Sequence, residues 1–433
     1  MGWRVLLSYR SKKHNPQTMT NLFDLILWGA TGYTGRLVAH YLAARPGPPL
    51  RWAIAGRNQA KLEQLQQELP HAARPPILLA DSQDRPSLDA LVAQGRVIVS
   101  TVGPYMQYGT PLVAACVAAG RDYCDLTGET PWIRQNIDAF HAPAGQTGAR
   151  IVHCCGYDSI PSDLGVLMVQ EFALAQYGRP CPTIHHLMGP AKGGLSGGTI
   201  ASMLNLMAEA PAVRRQLADP FILAPELAGE PPPRDQTGAR YNAALQSWTA
   251  PFIMAAINSR VVYRSNALLG FRYGRDFRYY EAARTGDGWR GRLAANSTSV
   301  GLGLGMLGLS MAPVRRLLQA TVLPQPGEGP SREQREQGFF RSRLVGLLPA
   351  SGEQPAVKIQ GRVGAQGDPG YQATAQMLAE TAVALAEDSR PDRAGGILTP
   401  AAALGMTLVE RLRASGMTFE VRRELAGDHP SGL

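Results

Sequence analysis

The stretch Leu27-Trp28-Gly29-Ala30-Thr31-Gly32-Tyr33-Thr34-Gly35-Arg36-Leu37 sets three glycines three residues apart, between an apolar run and an amphipathic one. Phe23 to Trp28 (FDLILW) is short, mostly apolar and closed by glycine, as a buried parallel strand should be. From Thr34 to Ala44, Leu37, Val38, Tyr41 and Leu42 recur at helical spacing, so the glycines form a strand-to-helix turn. In such a turn one glycine permits the tight bend, another lets the backbone approach a pyrophosphate, and the third lets helix pack on strand. The helix N-terminus then offers free N–H groups and the positive end of its dipole to phosphate. The spacing is G-x-x-G-x-x-G rather than G-x-G-x-x-G, so the strand and helix around it carry the assignment. Gly29, Ala30, Thr31, Gly32, Tyr33, Thr34 and Gly35 are the predicted dinucleotide-binding residues.

The pattern continues. Trp52 to Ala55 reads as a second strand, Asn58 as the cap of a helix to Leu69, and Ile77 to Ala80 as a third strand ending at Asp81. Val97 to Thr101, Tyr123 to Leu126 and Ile151 to Cys155 are further strands, with a helix over Leu112 to Ala119. Strands alternating with helices imply an α/β, Rossmann-type doubly wound parallel sheet, with the ligand outside the carboxyl ends of its strands. After the second strand stands Arg57, where an NAD-selective chain would offer a carboxylate; a guanidinium suits a 2′-phosphate, which favours NADP. Asp81 and Ser82 are placed toward the adenine end, though both residue types also serve as loop caps. Thr101, Val102, Gly103 and Pro104 are placed along the nicotinamide half, with Tyr105 next to them.

At 433 residues the chain suggests two domains. Its 45% hydrophobic and 18% charged residues describe a globular protein. The net charge of +9 favours anionic partners, but the arginines are scattered, with no basic run interleaved with aromatics, which argues against nucleic acid. Five cysteines without framework spacing suit a reducing compartment and a cytoplasmic protein. Residues 1 to 20 read as a disordered extension, with Met19 an alternative start. His153-Cys154-Cys155 and His185-His186 lack metal-ligand spacing, because neighbours on a strand point to opposite faces.

The second half begins with Gly156-Tyr157-Asp158-Ser159, then a helix from about Pro161 to Tyr177. Leaving the sheet at its ligand-facing edge, this segment is the expected wall of the substrate site, with Tyr157 and Asp158 less fully explained by helix capping than their neighbours. Thr183 to Met188 reads as a strand, and Ala191 to Thr199 as a glycine-rich loop without the G-K-[ST] ending of a nucleotide-gripping loop. Lys192, in a chain with few lysines, could polarise a carbonyl. Residues 226 to 247 read as an exposed loop. Ser299 to Ala312 is apolar but shorter than the roughly 20 residues of a membrane span; it suits a membrane interface, an acyl tunnel or a buried core helix, and Arg315 and Arg316 follow it. Strands over 338 to 348 and 356 to 363, helices over Tyr371 to Ala386 and Pro400 to Ala414, and a last strand over Gly416 to Val421 complete the reading. This divides the chain into a Rossmann domain (21–155), a second α/β domain (156–365) and C-terminal helices (366–433).

Taken together, LILWGATGYTGRLVAHYL, AIAGRN, STVGPY, DYCDLTGE, GYDSIPSDLG, KGGLSGGTIAS, PGEGPSREQREQGFF, GDPGYQATAQMLAETA and GGILTPAAALG resemble the saccharopine dehydrogenase-like oxidoreductases, closest to the trans-acting enoyl reductases of polyketide-derived lipid synthesis. The resemblance covers the chain from about Leu22 onward. It implies an NADP-binding first domain, a second α/β domain with a mixed sheet, and C-terminal helices packing back on the first domain. It also implies an acyl or polyketide lipid substrate, on a carrier or free, and association with membranes at the inner face of the plasma membrane; a homodimer is compatible with it. The expected reaction is hydride transfer from NADPH to an α,β-unsaturated acyl thioester. Tyr157 or Tyr105 would donate the proton, Lys192 or a backbone N–H would steady the enolate, and Asp158 would orient either. The alternatives are a non-catalytic NADP-binding sensor or scaffold and a saccharopine-type amino-acid dehydrogenase.

Overall fold

The computed structural model describes residues 23–193, 218–231, 233–311, 329–388 and 394–424. The expected N-terminal extension, most of the glycine-rich loop (Gly194 to Thr199), Ala312, Arg315 and Arg316 lie outside them. Two seven-stranded sheets organise the chain. The first contains β1 (Phe23–Trp28), β2 (Trp52–Gly56), β3 (Ile77–Leu79), β4 (Gly95–Ser100), β5 (Asp122–Asp125), β6 (Arg150–Val152) and β13 (Gly396–Leu398), in the order β13-β6-β5-β4-β1-β2-β3. Every pairing in it is parallel. A parallel sheet is covered on both faces, and β1 shows it residue by residue. Leu25 and Leu27 join the core under the helices Tyr33–Ala44 and Thr374–Glu387, whereas Ile26 and Trp28 join the core under Arg85–Gln94 and Thr110–Ala119. The chain runs outward from β1 to β3 and then crosses to β4 on the other side, so the loops after β1 and β4 flank the crevice where this fold binds nucleotides.

The sixth strand ends at Val152, short of the expected Cys155. The backbone leaves the sheet there because Cys154 adopts φ 64° while Asp125 accepts its N–H at 3.3 Å. The helix that follows, Ile160–Tyr177, matches expectation and carries the chain to the second sheet. That sheet is mixed, in the order β14-β12-β11-β7-β10-β9-β8. Its members are β7 (Thr183–Lys192), β8 (Arg240–Asn242), β9 (Ser247–Ala250), β10 (Arg278–Gly286), β11 (Phe339–Leu348), β12 (Val357–Gln366) and β14 (Thr418–Arg423). Only β7 and β10 run parallel. The segment 226 to 247 is thus more than a loop, since β8 falls within it.

The C-terminal segment serves both sheets. β13 extends the first, β14 edges the second, and Thr374–Glu387 packs on β1, β4 and β5. Arg150, 1% exposed, fixes this arrangement by bonding Asp122, Asp388 (2.5 Å) and the Leu385 carbonyl (2.8 Å). The apolar run beginning at Ser299 belongs to a longer helix, Gly288–Ser310, on which Leu304 and Leu307 are 64% and 61% exposed. That corrects the buried-core reading: the apolar side chains face outward because only the opposite side of the helix meets β9 and β10.

Candidate active site

The glycine turn has the geometry the motif demands. Gly29 takes φ +83°, and a Cβ there would stand 2.5 Å from Val102 Cγ2 and 2.9 Å from Thr101 Oγ1, so the turn closes against the loop after β4. A Cβ on Gly35 would stand 2.3 Å from the Gly29 carbonyl oxygen, so the helix seats directly on the turn. Thr101 Oγ1 donates to that oxygen at 3.0 Å, and the Gly29 N–H donates to Ala55 O at 3.0 Å. Gly32 caps the helix in extended conformation without a side-chain cap, and it is exposed. The first-turn amides of Tyr33, Thr34 and Gly35 are therefore open to an anion. Ala30 is fully buried and Thr31 half-buried on the turn.

Arg57 follows β2 at the same edge, exposed, with no ion-pair partner among the described residues; its neighbour Asn58 accepts from Lys61 N at 3.0 Å as the predicted cap. Asp81 and Ser82 are half-buried after β3, and Asp81 Oδ1 accepts from Gln83 N at 2.9 Å, which is turn capping. The loop Thr101 to Pro104 lies against Gly29 as described. Tyr105 does not join it. Its ring is 3% exposed and stacked on Trp132, its hydroxyl donates to the Ser100 carbonyl at 3.1 Å, and Glu129 accepts its N–H at 3.0 Å. That hydroxyl is committed to the core, which corrects its expected role as a proton donor.

The segment leading into β11 reaches over the turn. Arg335 donates to the Tyr33 hydroxyl at 2.5 Å and to Pro330 O at 2.8 Å, and the Tyr33 hydroxyl itself donates to Pro330 O at 2.5 Å. Gly329 lies flat on the Tyr33 ring, where a Cβ would come within 2.4 Å, and Tyr371 meets that ring edge-on at 4.7 Å. Lys192, exposed at the end of β7, donates to Gln337 Oε1 at 2.9 Å on this same rim. It has no carboxylate partner among the described residues.

Beyond β6, the loop Gly156 to Ser159 is pinned from both sides. The Tyr157 N–H donates to Thr374 Oγ1 at 3.1 Å, and its ring meets Phe340 edge-on at 4.8 Å. Thr374 follows the turn that carries Tyr371, so contacts run continuously from Tyr157 to Tyr33. Loss of water, then the charges of Glu281, Asp158 and Asp368, hold the Tyr157 phenol well above its ordinary value, so it keeps its proton. Loss of water pushes the Asp158 carboxyl up to about 6. This carboxyl accepts no hydrogen bond from the described residues and faces Gly128, which packs on Ile257.

Behind the loop lies a buried polar network that sequence reading missed. Ser159 Oγ donates to Asn258 Oδ1 at 3.1 Å, and Asn258 Nδ2 donates to Glu281 Oε1 at 2.9 Å. The Tyr279 hydroxyl donates to Glu281 Oε2 at 2.9 Å. Burial pushes Glu281 up to about 7 and His186 down to about 3. A polar cavity of about 330 Å³, beside the part of β10 that β9 leaves unpaired, ends on Tyr279 and Glu281. Helical and strand periodicity do show that Tyr279 and Glu281 share a face, but nothing in the sequence brings Asn258 to them.

An open anion cradle at a doubly wound switch point, an exposed arginine after the second strand and a second, mixed sheet are the build of a dinucleotide-binding oxidoreductase. The saccharopine dehydrogenase NADP binding domain family matches residues 25–152. A protein of Mycobacterium tuberculosis described as a trans-acting enoyl reductase is 44% identical over 419 residues, covering 93% of this chain and 98% of its own. The trans-acting enoyl reductase of Mycobacterium bovis is 38% identical over 418 residues, with the same coverage of 93% and 98%. Apo saccharopine dehydrogenase (L-Glu forming) from Saccharomyces cerevisiae shares the fold, with a TM-score of 0.52 at 12% identity over 93% of this chain and 99% of that one. The chain belongs to the saccharopine dehydrogenase-like oxidoreductases, in the branch that holds the trans-acting enoyl reductases. NADP is its cofactor, and the turn Gly29 to Gly35 with Arg57 fits it by the open amides and the side-chain-free approach described above.

Proposed function

We propose that the chain reduces the carbon–carbon double bond of an α,β-unsaturated acyl thioester, an intermediate in the synthesis of a polyketide-derived lipid or glycolipid. NADPH held by the turn Gly29 to Gly35 and by Arg57 would supply a hydride to the β-carbon of such a substrate. The α-carbon must then receive a proton, and the Tyr157–Asp158 pair is the observation that carries the reading. Tyr157 retains its proton at neutral pH in a water-poor loop at the ligand-facing edge of the sheet. Asp158, at about 6, is matched to neutral pH and reloads the phenol from solvent. Lys192 and the backbone N–H groups of the loop are the groups available to the enolate oxygen.

The loops after β4, β5 and β6 (101–109, 126–129 and 153–159) contain no arginine or lysine. Apart from Lys192 and Arg335 on the facing rim, the carboxylates of a dicarboxylic amino acid would meet no cation among these residues, which favours an uncharged acyl chain over a saccharopine-type substrate. The test is NADPH oxidation against crotonyl and longer enoyl thioesters. Turnover is expected, with Tyr157→Phe slower by about 10²–10⁴-fold and its NADPH affinity within about twofold of the parent. Tight NADPH binding with no turnover across the series would instead make the chain a cofactor-binding sensor.

A further inference from the structure

Seven of the nine most exposed large apolar side chains among the described residues lie between Trp289 and Met311. At the helical repeat, Trp289, Leu293, Val300, Leu304, Leu307 and Met311 fall within about 60° of arc. They form an apolar stripe along one side of the helix Gly288–Ser310, broken only by Asn296 and Ser297, with Met306 off it. The opposite face, with buried Gly291 and Ala295, is the side set on the second sheet. No helix among the described residues is long and apolar enough to cross a membrane.

Two features say what covers the stripe. From Gly288 to Gly327 the sequence has no aspartate or glutamate, and its only charges are Arg290, Arg292, Arg315 and Arg316. The helix also carries Gly301, Gly303, Gly305 and Gly308, although a Cβ on any of the first three would meet nothing within 4 Å. Packing does not require these glycines, and in water they weaken a helix. In an apolar medium unpaired backbone groups are too costly to expose, and a glycine-rich segment stays helical. We propose that this helix lies in the headgroup region of a bilayer containing anionic lipids, with the stripe immersed, Trp289 at the interface and Arg290 and Arg292 on lipid phosphates. A second copy of the chain would also cover the stripe, but no acidic residue of the segment answers Arg290 and Arg292, so a paired-helix contact would lack charge balance.

The test uses the full-length protein without NADPH or substrate, so its outcome is independent of the enoyl-reductase reading. Flotation with vesicles of phosphatidylcholine, with and without phosphatidylglycerol, should show binding to the anionic vesicles. Leu304→Glu/Leu307→Glu should lower partitioning by about tenfold or more, and Arg290→Gln/Arg292→Gln by about tenfold. Both double variants should bind NADPH with the parent's affinity, which reports that they are folded. A parent protein that leaves every vesicle unbound would overturn the proposal. So would a parent that is dimeric without lipid and becomes monomeric in Leu304→Glu/Leu307→Glu.

Discussion

Arg57 follows β2 and Asp158 follows β6, and each has a measurable consequence of its own. Arg57 is exposed just after β2, with no ion-pair partner among the described residues, so a 2′-phosphate would suit it as counter-ion. Arg57→Ala should weaken NADPH binding by about 10–100-fold, the worth of a charge-assisted contact, and leave NADH within about twofold; calorimetry with both coenzymes checks it. If Asp158 must be protonated to reload Tyr157, kcat/KM falls as pH rises through about 6. Asp158→Asn should be slower and lose that limb; an unchanged profile would remove Asp158 from the proton path. Sequence singles out both residues because each follows a strand of a recognisable sheet, where the fold puts ligands. Tyr105 stands in the same kind of place and was misread. Nothing local to it shows that Trp132 and Glu129, both distant in sequence, enclose it.

At the scale of elements, the glycine turn is a fit of three backbones, and its third member is the most exacting. Gly35 has no room for a methyl group against the Gly29 carbonyl. Gly35→Ala must push the helix off β1, at a cost of about 1–3 kcal/mol, and should lower both the melting temperature and the NADPH affinity, the latter by tenfold or more. A thermal shift series with and without NADPH measures both effects. Parallel strands such as β1 and β4 were legible because burial on both faces leaves continuous apolar runs. The helix Thr130–Thr147 was not, since Pro131 and Pro143 interrupt a mostly polar stretch whose helicity depends on packing beside β13. β13 is three residues long and pairs with β6 across more than two hundred residues, a contact no local pattern encodes.

Over the whole molecule, contacts between the parts built on the two sheets tie the cofactor turn to the second sheet. Arg335 and Gly329 reach Tyr33 from one side, and Asn258 and Glu281 brace Ser159 from the other. The two-sheet plan could be read from alternating elements, but these bridges could not, because they unite residues about a hundred or three hundred positions apart. Glu281 gives the bridging network a pH signature. Its folded value of about 7 exceeds its ordinary 4.5, so the folded state binds the proton more tightly than the unfolded chain. The stability this provides is complete below about 4.5 and is lost as pH rises through about 7, by roughly 3 kcal/mol in total. Burial raises Asp158 and Asp163 in the same direction, to about 6 and about 7, so the parent should lose melting temperature between pH 5 and 8. Glu281→Gln keeps the shape of the side chain, removes its titration and should show a shallower loss over that interval. Glu281 lines the cavity beside β10, which gives water a route to the carboxyl without global opening. Melting curves of both proteins at several pH values decide it: parallel lines would mean that Glu281 stays ionised and that Asn258, Tyr279 and Ser162 fully offset its burial.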